Sequence, residues 1–308
     1  MIEFAPDRRG FLGVVVCAAT GSSVSFSALG QDTPIKATKL ARDLALIEGN
    51  GGNVAVIISR DGLMLIDGGF PDRAAELQKA IAELDSQPVR VLFNTHWHSD
   101  HIGLNETLGK AGVKIVAHEN TRKWLSQTVT LEALGRTFDP LNPVGLPGET
   151  FSNAGKMTFG KEKVEYTPVP VAHTDSDAFV FLPGPNVLHT GDLMFHSFYP
   201  VIDYSTHGWV GGMAEAADMM LQACDASTRI IPGHGPLATR DDLKLTRDML
   251  QTVSTRLEAM ARQGKTIDEV VDAAPTKDFD AKFGKGVFQP QQWVKIAYTS
   301  VLRHNQSV

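Results

Sequence analysis

Cysteine is scarce in this chain, whose 308 residues include two, Cys17 and Cys224. Cys17 falls in an N-terminal segment that we expect to be removed, which leaves Cys224 without a partner for an intramolecular disulfide. Cys224 is therefore predicted to be buried in a helix as a small apolar side chain. A protein with so few thiolates must depend on its core, or on metal ions bound by other side chains, for stability.

Positive charge is also limited, because 29 Lys and Arg residues are outnumbered by 35 Asp and Glu residues, which gives a net charge of −6. No stretch combines clustered Lys or Arg with interleaved aromatic residues, the electrostatic pattern of a nucleic-acid-binding surface. The sequence therefore predicts a small-molecule substrate and no nucleic-acid partner.

Long hydrophobic runs are missing as well. The apolar stretch at residues 11–19 is shorter than the roughly 20 residues that a membrane-spanning helix requires. It follows Arg8-Arg9 in a segment that resembles a twin-arginine export motif, and small residues continue to Gly30. Residues 1–30 are thus predicted to be a Tat-type signal segment, with an ordinary frayed N-terminus as the alternative.

This segment predicts a periplasmic or secreted protein that meets the Tat translocation machinery during export. Val16, which precedes Cys17, is too bulky for a good lipoprotein cleavage site, so no stable membrane anchor is expected. The rest of the chain, residues 31–308, is predicted to form a single domain, with helices over residues 235–308. The 43% hydrophobic content of the full chain suffices for a sizeable core. The sequence does not predict an oligomeric state.

Residues 96–101 read His-Trp-His-Ser-Asp-His and carry the clearest chemical signal in the chain. Three imidazoles and a carboxylate within six residues cannot all lie on one face of a helix or strand. They converge only if a loop wraps them around a cation, and imidazole with carboxylate suits zinc. The absence of a thiolate argues against a structural cysteine-type site. A histidine-rich surface turn is the alternative.

Further potential ligands stand directly after short apolar runs. His96 follows such a run at residues 89–95, and His173, Asp192 and His234 follow others. Gly or Pro beside several of these residues lets the chain turn sharply at the end of a strand. The pattern predicts a metal site built along one edge of a sheet.

The order His-x-His-x-Asp-His, followed by His173, by Asp192 in Thr-Gly-Asp-Leu and by His234 in Pro-Gly-His-Gly, resembles the metallo-β-lactamase superfamily. The resemblance covers roughly residues 40–240. Asn53 in Gly-Gly-Asn-Val and Asp67 in Leu-Ile-Asp-Gly-Gly match the opening strands of that family. The resemblance implies an α/β protein with a four-layer αβ/βα sandwich and metals at one edge.

The resemblance also implies a role for each ligand. His96, His98 and His173 would form one metal site; Asp100, His101 and His234 would form the other, with Asp192 bridging both. Two zinc ions per chain would share a hydroxide that attacks a carbonyl, and Asp100 would orient this nucleophile and relay its proton. Flavodiiron relatives carry glutamate at the position of His98, which disfavours iron-based oxygen or NO reduction. Iron or manganese in place of zinc remains open.

Several other residues are assigned by position. Asp67 is predicted to orient groups around the metals; the alternatives are a direct metal bond and capping of the turn before Gly68-Gly69. Trp97 either lines the substrate cleft or packs beneath the ligand loop, residues 96–101. Three residues after Asp192 are further candidates for lining the cleft: His196, Tyr204 and His207. The remaining histidines considered, predicted to be structural or at the surface, are His118, His189 and His304.

The leading functional prediction is an exported, dinuclear zinc-dependent hydrolase that opens a lactam, lactone or ester and is β-lactamase-like. Asp192 stands where many zinc β-lactamases carry cysteine or serine, and a bridging aspartate resembles glyoxalase II and lactonases instead. The alternatives are therefore a glyoxalase II-like thioesterase and, from another class, a non-catalytic metal-binding accessory protein for the maturation of periplasmic enzymes.

The hydrophobic pattern also predicts the main secondary structure. An antiparallel meander is expected over residues 40–67 and a second β-rich block over residues 164–190. Helices are expected at residues 72–84, 104–110, 120–127, along the apolar stripe that begins at Met213, and after caps at Thr239 and Thr266. Residues 128–160, rich in proline and glycine, are predicted to be a long irregular loop near the active site.

Overall fold

The computed structural model describes residues 33–307, so the predicted signal segment lies outside the described residues. Two large sheets dominate the fold. The first sheet has seven strands in the order β1-β2-β3-β4-β5-β6-β9. Its strands are β1 Lys36–Ala41, β2 Leu44–Glu48, β3 Val54–Ser59, β4 Gly62–Ile66, β5 Val89–Asn94, β6 Lys114–His118 and β9 Glu149–Phe151.

Within this sheet, β1 to β4 pair antiparallel, as the predicted meander requires. The pairs β4–β5, β5–β6 and β6–β9 are parallel. The strands β3 and β4 are almost entirely buried, because the sheet is covered on both faces. The loop that carries His96, His98, Asp100 and His101 begins at the carboxyl end of β5, at the edge of the sheet.

The second sheet has six strands in the order β10-β11-β12-β13-β14-β15. These strands are β10 Gly155–Phe159, β11 Glu162–Pro168, β12 Ala178–Leu182, β13 Val187–His189, β14 Arg229–Ile231 and β15 Ala238–Thr239. All neighbours are antiparallel except β13 and β14, which are parallel and separated in the chain by a helical crossover. The predicted second β-rich block is therefore confirmed.

Eight α-helices complete the described part of the chain. They are α1 Ala74–Leu84, α2 Asn105–Lys110, α3 Glu119–Leu125, α4 Val210–Ala223, α5 Arg240–Arg262, α6 Ile267–Asp272, α7 Asp280–Phe283 and α8 Pro290–Ser307. The three helices predicted before residue 130 end within two residues of their expected ends, and a short 3₁₀ turn at Pro71–Arg73 precedes α1. None of the helices within residues 33–307 has the length and apolarity needed to cross a bilayer.

The core of the described residues has four parts, three of which define the four layers. Apolar side chains such as Ile57 and Phe93 of the first sheet meet Val180 of the second. On the outer face of the first sheet, Leu77 and other residues of α1 and α2 pack against the strands. The outer face of the second sheet is covered by α4, α5 and α8. This is the predicted αβ/βα sandwich.

The caps predicted for two helices are confirmed. Thr239 and Thr266 each accept a hydrogen bond from the backbone N–H three residues on, and Asp242 and Glu269 return the contact as capping boxes. Gly264, with φ +70°, follows α5 and satisfies the left-handed conformation that ends a helix. Polar side chains thus fix where both helices begin.

Residues 128–160 differ from the prediction. Instead of an irregular loop, they contain a hairpin formed by β7 Val129–Leu131 and β8 Arg136–Phe138, the edge strand β9, and all of β10. The three-residue strands are too short for a periodic signal, and the prolines that suggested a loop lie between them. Cys224 also departs from its prediction, because it follows α4 and is only partly buried.

Candidate metal centre

All seven predicted ligands lie where strands of the two sheets end at a common edge. The loop after β5 carries His96, His98, Asp100 and His101, whereas His173, Asp192 and His234 follow β11, β13 and β14. Every one of these side chains is buried. Their potential ligand atoms form two clusters, each with all members within 4.8 Å of one another: His96, His98, His173 and Asp192 in one, and Asp100, His101 and His234 in the other.

The first cluster closes around Asp192. Nε2 of His173 lies 2.9 Å from Nδ1 of His98 and 3.5 Å from Oδ2 of Asp192. Nε2 of His96 lies 3.7 Å from the same oxygen. Three ring nitrogens and one carboxylate oxygen therefore face a common point.

The second cluster uses the other oxygen of the same carboxylate. Oδ1 of Asp192 lies 3.0 Å from Nε2 of His101 and 3.4 Å from Nε2 of His234. Oδ2 of Asp100 lies 3.2 Å from Nε2 of His234. One oxygen of Asp192 faces each cluster, as a carboxylate that bridges two metal ions must.

The outward hydrogen bonds of His98 and His173 leave the second nitrogen of each ring directed into the first cluster. Nδ1 of His173 lies 2.8 Å from the Val201 carbonyl, and Nε2 of His98 lies 3.2 Å from Oδ2 of Asp203, so each ring directs its proton away from the cluster. When both rings are neutral, the two remaining nitrogens, 2.9 Å apart, present lone pairs to each other. Such an arrangement is repulsive unless a cation lies between them.

Three buried atoms also indicate that a cation binds here. Nε2 of His96, Nε2 of His101 and Oδ1 of Asp192 make no hydrogen bond of acceptable geometry, although the last two atoms lie 3.0 Å apart. Burying polar atoms without partners costs roughly 1–3 kcal/mol each. Because the donors are imidazole nitrogens and carboxylate oxygens without sulfur, they fit two ions such as zinc, iron or manganese.

Charge is distributed unevenly between the clusters. Burial lowers the pKa of His173, and with the neighbouring His98 brings it to about 4, so that this ring is neutral and ready to bind a metal. Burial acts in the same direction on His234, but the carboxylates of Asp192 and Asp100 outweigh it and raise the pKa of His234 to about 9. In return, His101 and His234 hold the pKa of Asp192 well below its ordinary value despite its burial.

Asp67 holds the ligand loop from beneath. Its Oδ2 lies 2.8 Å from Nδ1 of His101 and accepts a hydrogen bond from the Thr95 hydroxyl at 2.8 Å, and its Oδ1 accepts from the Thr95 amide. The hydroxyl of Thr95 lies 3.0 Å from Nδ1 of His96. Asp67 therefore contacts His101 directly and reaches His96 through Thr95, and it belongs to neither cluster of potential ligand atoms, so its orienting role stays a prediction. Its φ of +66° places it at the sharp turn after β4.

Asp203 supports the opposite side of the centre and was not among the predicted residues. Its Oδ2 contacts His98 and accepts a hydrogen bond from Thr206, and its Oδ1 accepts from the backbone of Ser205. An aspartate with a serine two residues later and a threonine three residues later indicates a local turn. Its contact with a ligand 105 residues away could not be read from that local pattern.

Two glycines allow the backbone to approach the ligands. A Cβ at Gly52 would overlap the ring of His101, and a Cβ at Gly233 would overlap Oδ1 of Asp192. The backbone amide of Asn53 donates to the Gly233 carbonyl at 2.8 Å, and its side chain bonds two further carbonyls around His234. Asn53, which the sequence matched to an opening strand, thus ties the first sheet to the loop after β14.

Comparison with known proteins agrees with this geometry. A sequence model of the metallo-beta-lactamase superfamily matches residues 47–234, more than half of the chain. The chain belongs to the metallo-beta-lactamase superfamily. Most members of this superfamily are metal-dependent hydrolases.

Solved structures show the same metallo-beta-lactamase fold. The metallo-beta-lactamase from Pontibacter korlensis is 23% identical, with a TM-score of 0.59 over 71% of this chain and 99% of its own. The DIM-1 metallo-beta-lactamase is 19% identical, with a TM-score of 0.57 over 71% and 97% of the two chains. The sec-alkylsulfatase Pisa1 from Pseudomonas sp. is 20% identical, with a TM-score of 0.67 over 86% of this chain and 50% of its own.

In this metallo-beta-lactamase fold, a small cleft opens onto the candidate metal centre. Four of the metal-binding side chains and Ser99 form one side of it, and apolar residues form the other: Leu131, Leu134, Phe138 and Val201. Its volume is about 20 Å³, close to what one water molecule occupies. The hairpin β7–β8 supplies three of the four apolar residues, so residues 128–160 do lie beside the site.

The four candidates for lining the cleft lie elsewhere. Trp97 is buried beneath the hairpin, with its ring centroid 5.8 Å from that of Phe138, which agrees with the packing alternative. His196 contacts the carbonyl of Pro236, and Tyr204 and His207 line a separate groove beside α8. None of these four is among the described residues that line the cleft.

The other histidines have structural contacts. His118 accepts a hydrogen bond from the Asn120 amide at the start of α3. The buried His189 lies between the Asn53 carbonyl and the Gly191 amide, next to the turn that carries Asp192. His304 stacks on Trp209 with ring centroids 3.7 Å apart. These contacts account for the three residues without a role at the metals.

Proposed function

We propose that this chain is a dinuclear zinc-dependent hydrolase that opens a lactam, lactone or ester. The observation that carries the proposal is the division of Asp192 between two clusters of nitrogen and oxygen donors, with its two oxygens directed to opposite sides. A side chain that serves only one ion, or only the fold, has no need of that placement. Membership of a superfamily made up mostly of metal-dependent hydrolases supports the same conclusion.

The chemistry divides between the ions and the chain. Zinc, when bound, lowers the pKa of a water molecule and polarises a carbonyl as a Lewis acid. Asp100 faces the cleft and lies 3.2 Å from His234, so its carboxylate is placed to accept a proton from the nucleophile and to return it to the leaving group. The apolar side chains of Leu134 and Phe138 exclude bulk water from the opposite side.

Metal dependence and reaction class are tested together with a chromogenic cephalosporin and the zinc-loaded chain, with and without a chelator. Rapid hydrolysis that the chelator abolishes supports a β-lactamase despite Asp192. Absent hydrolysis directs the search to lactones and esters, provided that metal analysis finds two ions per chain. A chain that binds no metal under these conditions would contradict the proposal itself.

A glyoxalase II-like thioesterase is the second candidate, and the bridging position of Asp192 favours it. This alternative requires turnover of S-lactoylglutathione by the metal-loaded chain. Lack of detectable thioester cleavage, in a preparation that holds both metals, would exclude it. A non-catalytic accessory protein is less well supported, because it has no need of a cleft that opens onto both clusters.

We further propose that the protein is exported through the Tat route, which supports a periplasmic or secreted location. The proposal depends on the paired arginines and the short apolar stretch within residues 1–30. Replacement of Arg8 and Arg9 by lysine is expected to retain the protein in the cytoplasm, as measured by cell fractionation. Unchanged export of this variant would contradict the assignment.

A further inference from the structure

The hairpin β7–β8 forms a separate two-stranded sheet beside the metal centre. In its register, Val129 pairs with Phe138 and Leu131 pairs with Arg136, so these four side chains share one face. Thr130 and Thr137 pair on the opposite, exposed face, where their hydroxyls lie 2.9 Å apart. The hairpin therefore has an inner face that is apolar apart from the exposed Arg136, and a polar outer face.

The inner face is anchored next to a ligand. Phe138 packs edge-on against Trp97, and Trp97 packs in the same way against His98, with ring centroids 4.7 Å apart. Leu131 and Leu134 extend from this contact into the cleft that faces Asp100. The hairpin thus places an apolar wall opposite the metal-binding side chains.

The turn of the hairpin is held by contacts outside the cleft. Both carboxylate oxygens of Glu132 contact the guanidinium of Arg303 on α8, at 2.6 and 3.0 Å. The amide of Glu132 donates to the Ser205 hydroxyl at 2.9 Å. These bonds stabilise this conformation of the turn, which carries Leu134 two residues after Glu132.

The apolar side of the cleft offers no cationic side chain to an anionic substrate, because His234, whose pKa is raised to about 9, belongs to the opposite side with the other metal-binding residues. Among the described residues that line it, none is Lys or Arg. A carboxylate or similar anion placed against Leu131 and Leu134 would lose its hydration without gaining a partner, which is unfavourable. Arg136, the cation on this face of the hairpin, is exposed and does not belong to the lining.

We propose that Leu131, Leu134 and Phe138 determine specificity by selecting substrates with an uncharged, apolar group beside the scissile bond. The inference rests on the proposed hydrolase function and narrows it. Neutral lactones and esters with small alkyl groups fit this wall, whereas substrates with a carboxylate beside the scissile carbonyl do not. In the closed cleft of about 20 Å³, such an alkyl group requires the hairpin to shift outward.

Binding of two small thiols to the cobalt-loaded full chain tests this inference without turnover. The probes are 1-butanethiol and 3-mercaptopropionate, which are similar in length and differ in charge, and binding is read from the thiolate-to-cobalt charge-transfer band. We expect 1-butanethiol to bind about tenfold more tightly or better, the discrimination given by an unpaired carboxylate in an apolar cleft.

Two variants localise the effect. Leu134→Lys places a cation in the wall and is expected to abolish or reverse the preference. Thr130→Lys adds the same charge on the outer face of the same hairpin and is expected to leave the ratio within about twofold of the parent, as for a screened surface charge. A cobalt content of two per chain in each variant verifies that the centre has folded.

Two outcomes overturn the inference. Equal or tighter binding of 3-mercaptopropionate by the parent would show that the wall does not select against charge. If Arg136→Ala then removes that binding, the hairpin instead carries an anion site at Arg136. If cobalt binds but neither thiol produces the band, the metals are closed to ligands, and the proposed hydrolase function fails together with the inference.

Discussion

Asp192 is the side chain on which the two donor clusters depend, because each of its oxygens faces a different cluster. Its replacement by alanine removes one ligand from both ions at once. We therefore expect Asp192→Ala to bind about one zinc ion per chain instead of two, as measured by elemental analysis after dialysis. The exposed Asp61→Ala serves as the control and should retain both ions; two tightly held ions in Asp192→Ala would contradict the bridging role.

Asp67 acts through other residues, and its effect is correspondingly indirect. In Asp67→Asn, the amide nitrogen cannot accept the hydrogen bonds that the carboxylate receives from Thr95 and shares with His101. Loss of such an orienting partner lowers metal affinity by about 10–100-fold. Competition titration with a chromophoric chelator measures this change. An affinity equal to that of the parent would assign Asp67 to the turn alone.

Sequence indicated the ligands themselves but not all of their supports. The ligand types and their positions after apolar runs could be recognised because each signal is local. Asp203 and Val201 could not, since their contacts with His98 and His173 depend on how distant loops pack together. The cleft residues Leu131 and Leu134 also lacked a signal, because isolated leucines do not distinguish a cleft wall from a core.

Helix α6 illustrates how a short element depends on its cap. Glu269 lies beside Lys265 and accepts bonds from Thr266 in the capping box, and these contacts lower the pKa of the exposed Glu269 carboxyl to about 2. Because this pKa is depressed on folding, the associated stability is present above about pH 4.5 and is lost as the pH falls toward about 2.

Glu269→Gln should therefore be less stable than the parent at neutral pH and should approach it in stability near pH 2. Denaturant unfolding at several pH values measures the difference. The surface variant Glu83→Gln, whose carboxylate lies 4.0 Å from Lys79, provides a comparison on another helix and should show a smaller difference. A constant gap between Glu269→Gln and the parent from pH 7 to pH 2 would contradict this account.

The length and context of an element determined how well it was predicted. Helix α5 combines a long apolar stripe, an N-terminal cap and a glycine after its end, and all of these are visible in the sequence. The strands β7, β8 and β9 have three residues each, so their pairing depends on neighbours distant in the chain. The prolines between these strands correctly indicated loops, but strands of three residues gave no pattern of their own.

At the scale of the whole molecule, both metal sites draw ligands from the two sheets. The loop after β5 belongs to the first sheet, whereas His173, Asp192 and His234 follow strands of the second. Bound ions therefore connect the two halves of the sandwich. The layer order itself was predictable, because the family resemblance supplied a topology that periodicity alone does not.

Removal of the metals should consequently lower the stability of the entire domain. A ligand present at 100 times its dissociation constant stabilises the folded state by about 2.7 kcal/mol. We expect the melting temperature to fall when a chelator is added and to recover with excess zinc, as followed by circular dichroism. A melting temperature that is insensitive to the chelator, although metal analysis shows that the ions have left, would contradict the structural role.

The division of ligands between the sheets also has a kinetic consequence. Neither half of the chain holds a complete set of donors, so the ions bind with full affinity only after the halves have met. They then stabilise the native state without stabilising the transition state that precedes it. Zinc should therefore slow unfolding while leaving the refolding rate nearly unchanged. The ions would then provide kinetic stability to the native state and take no part in the folding nucleus.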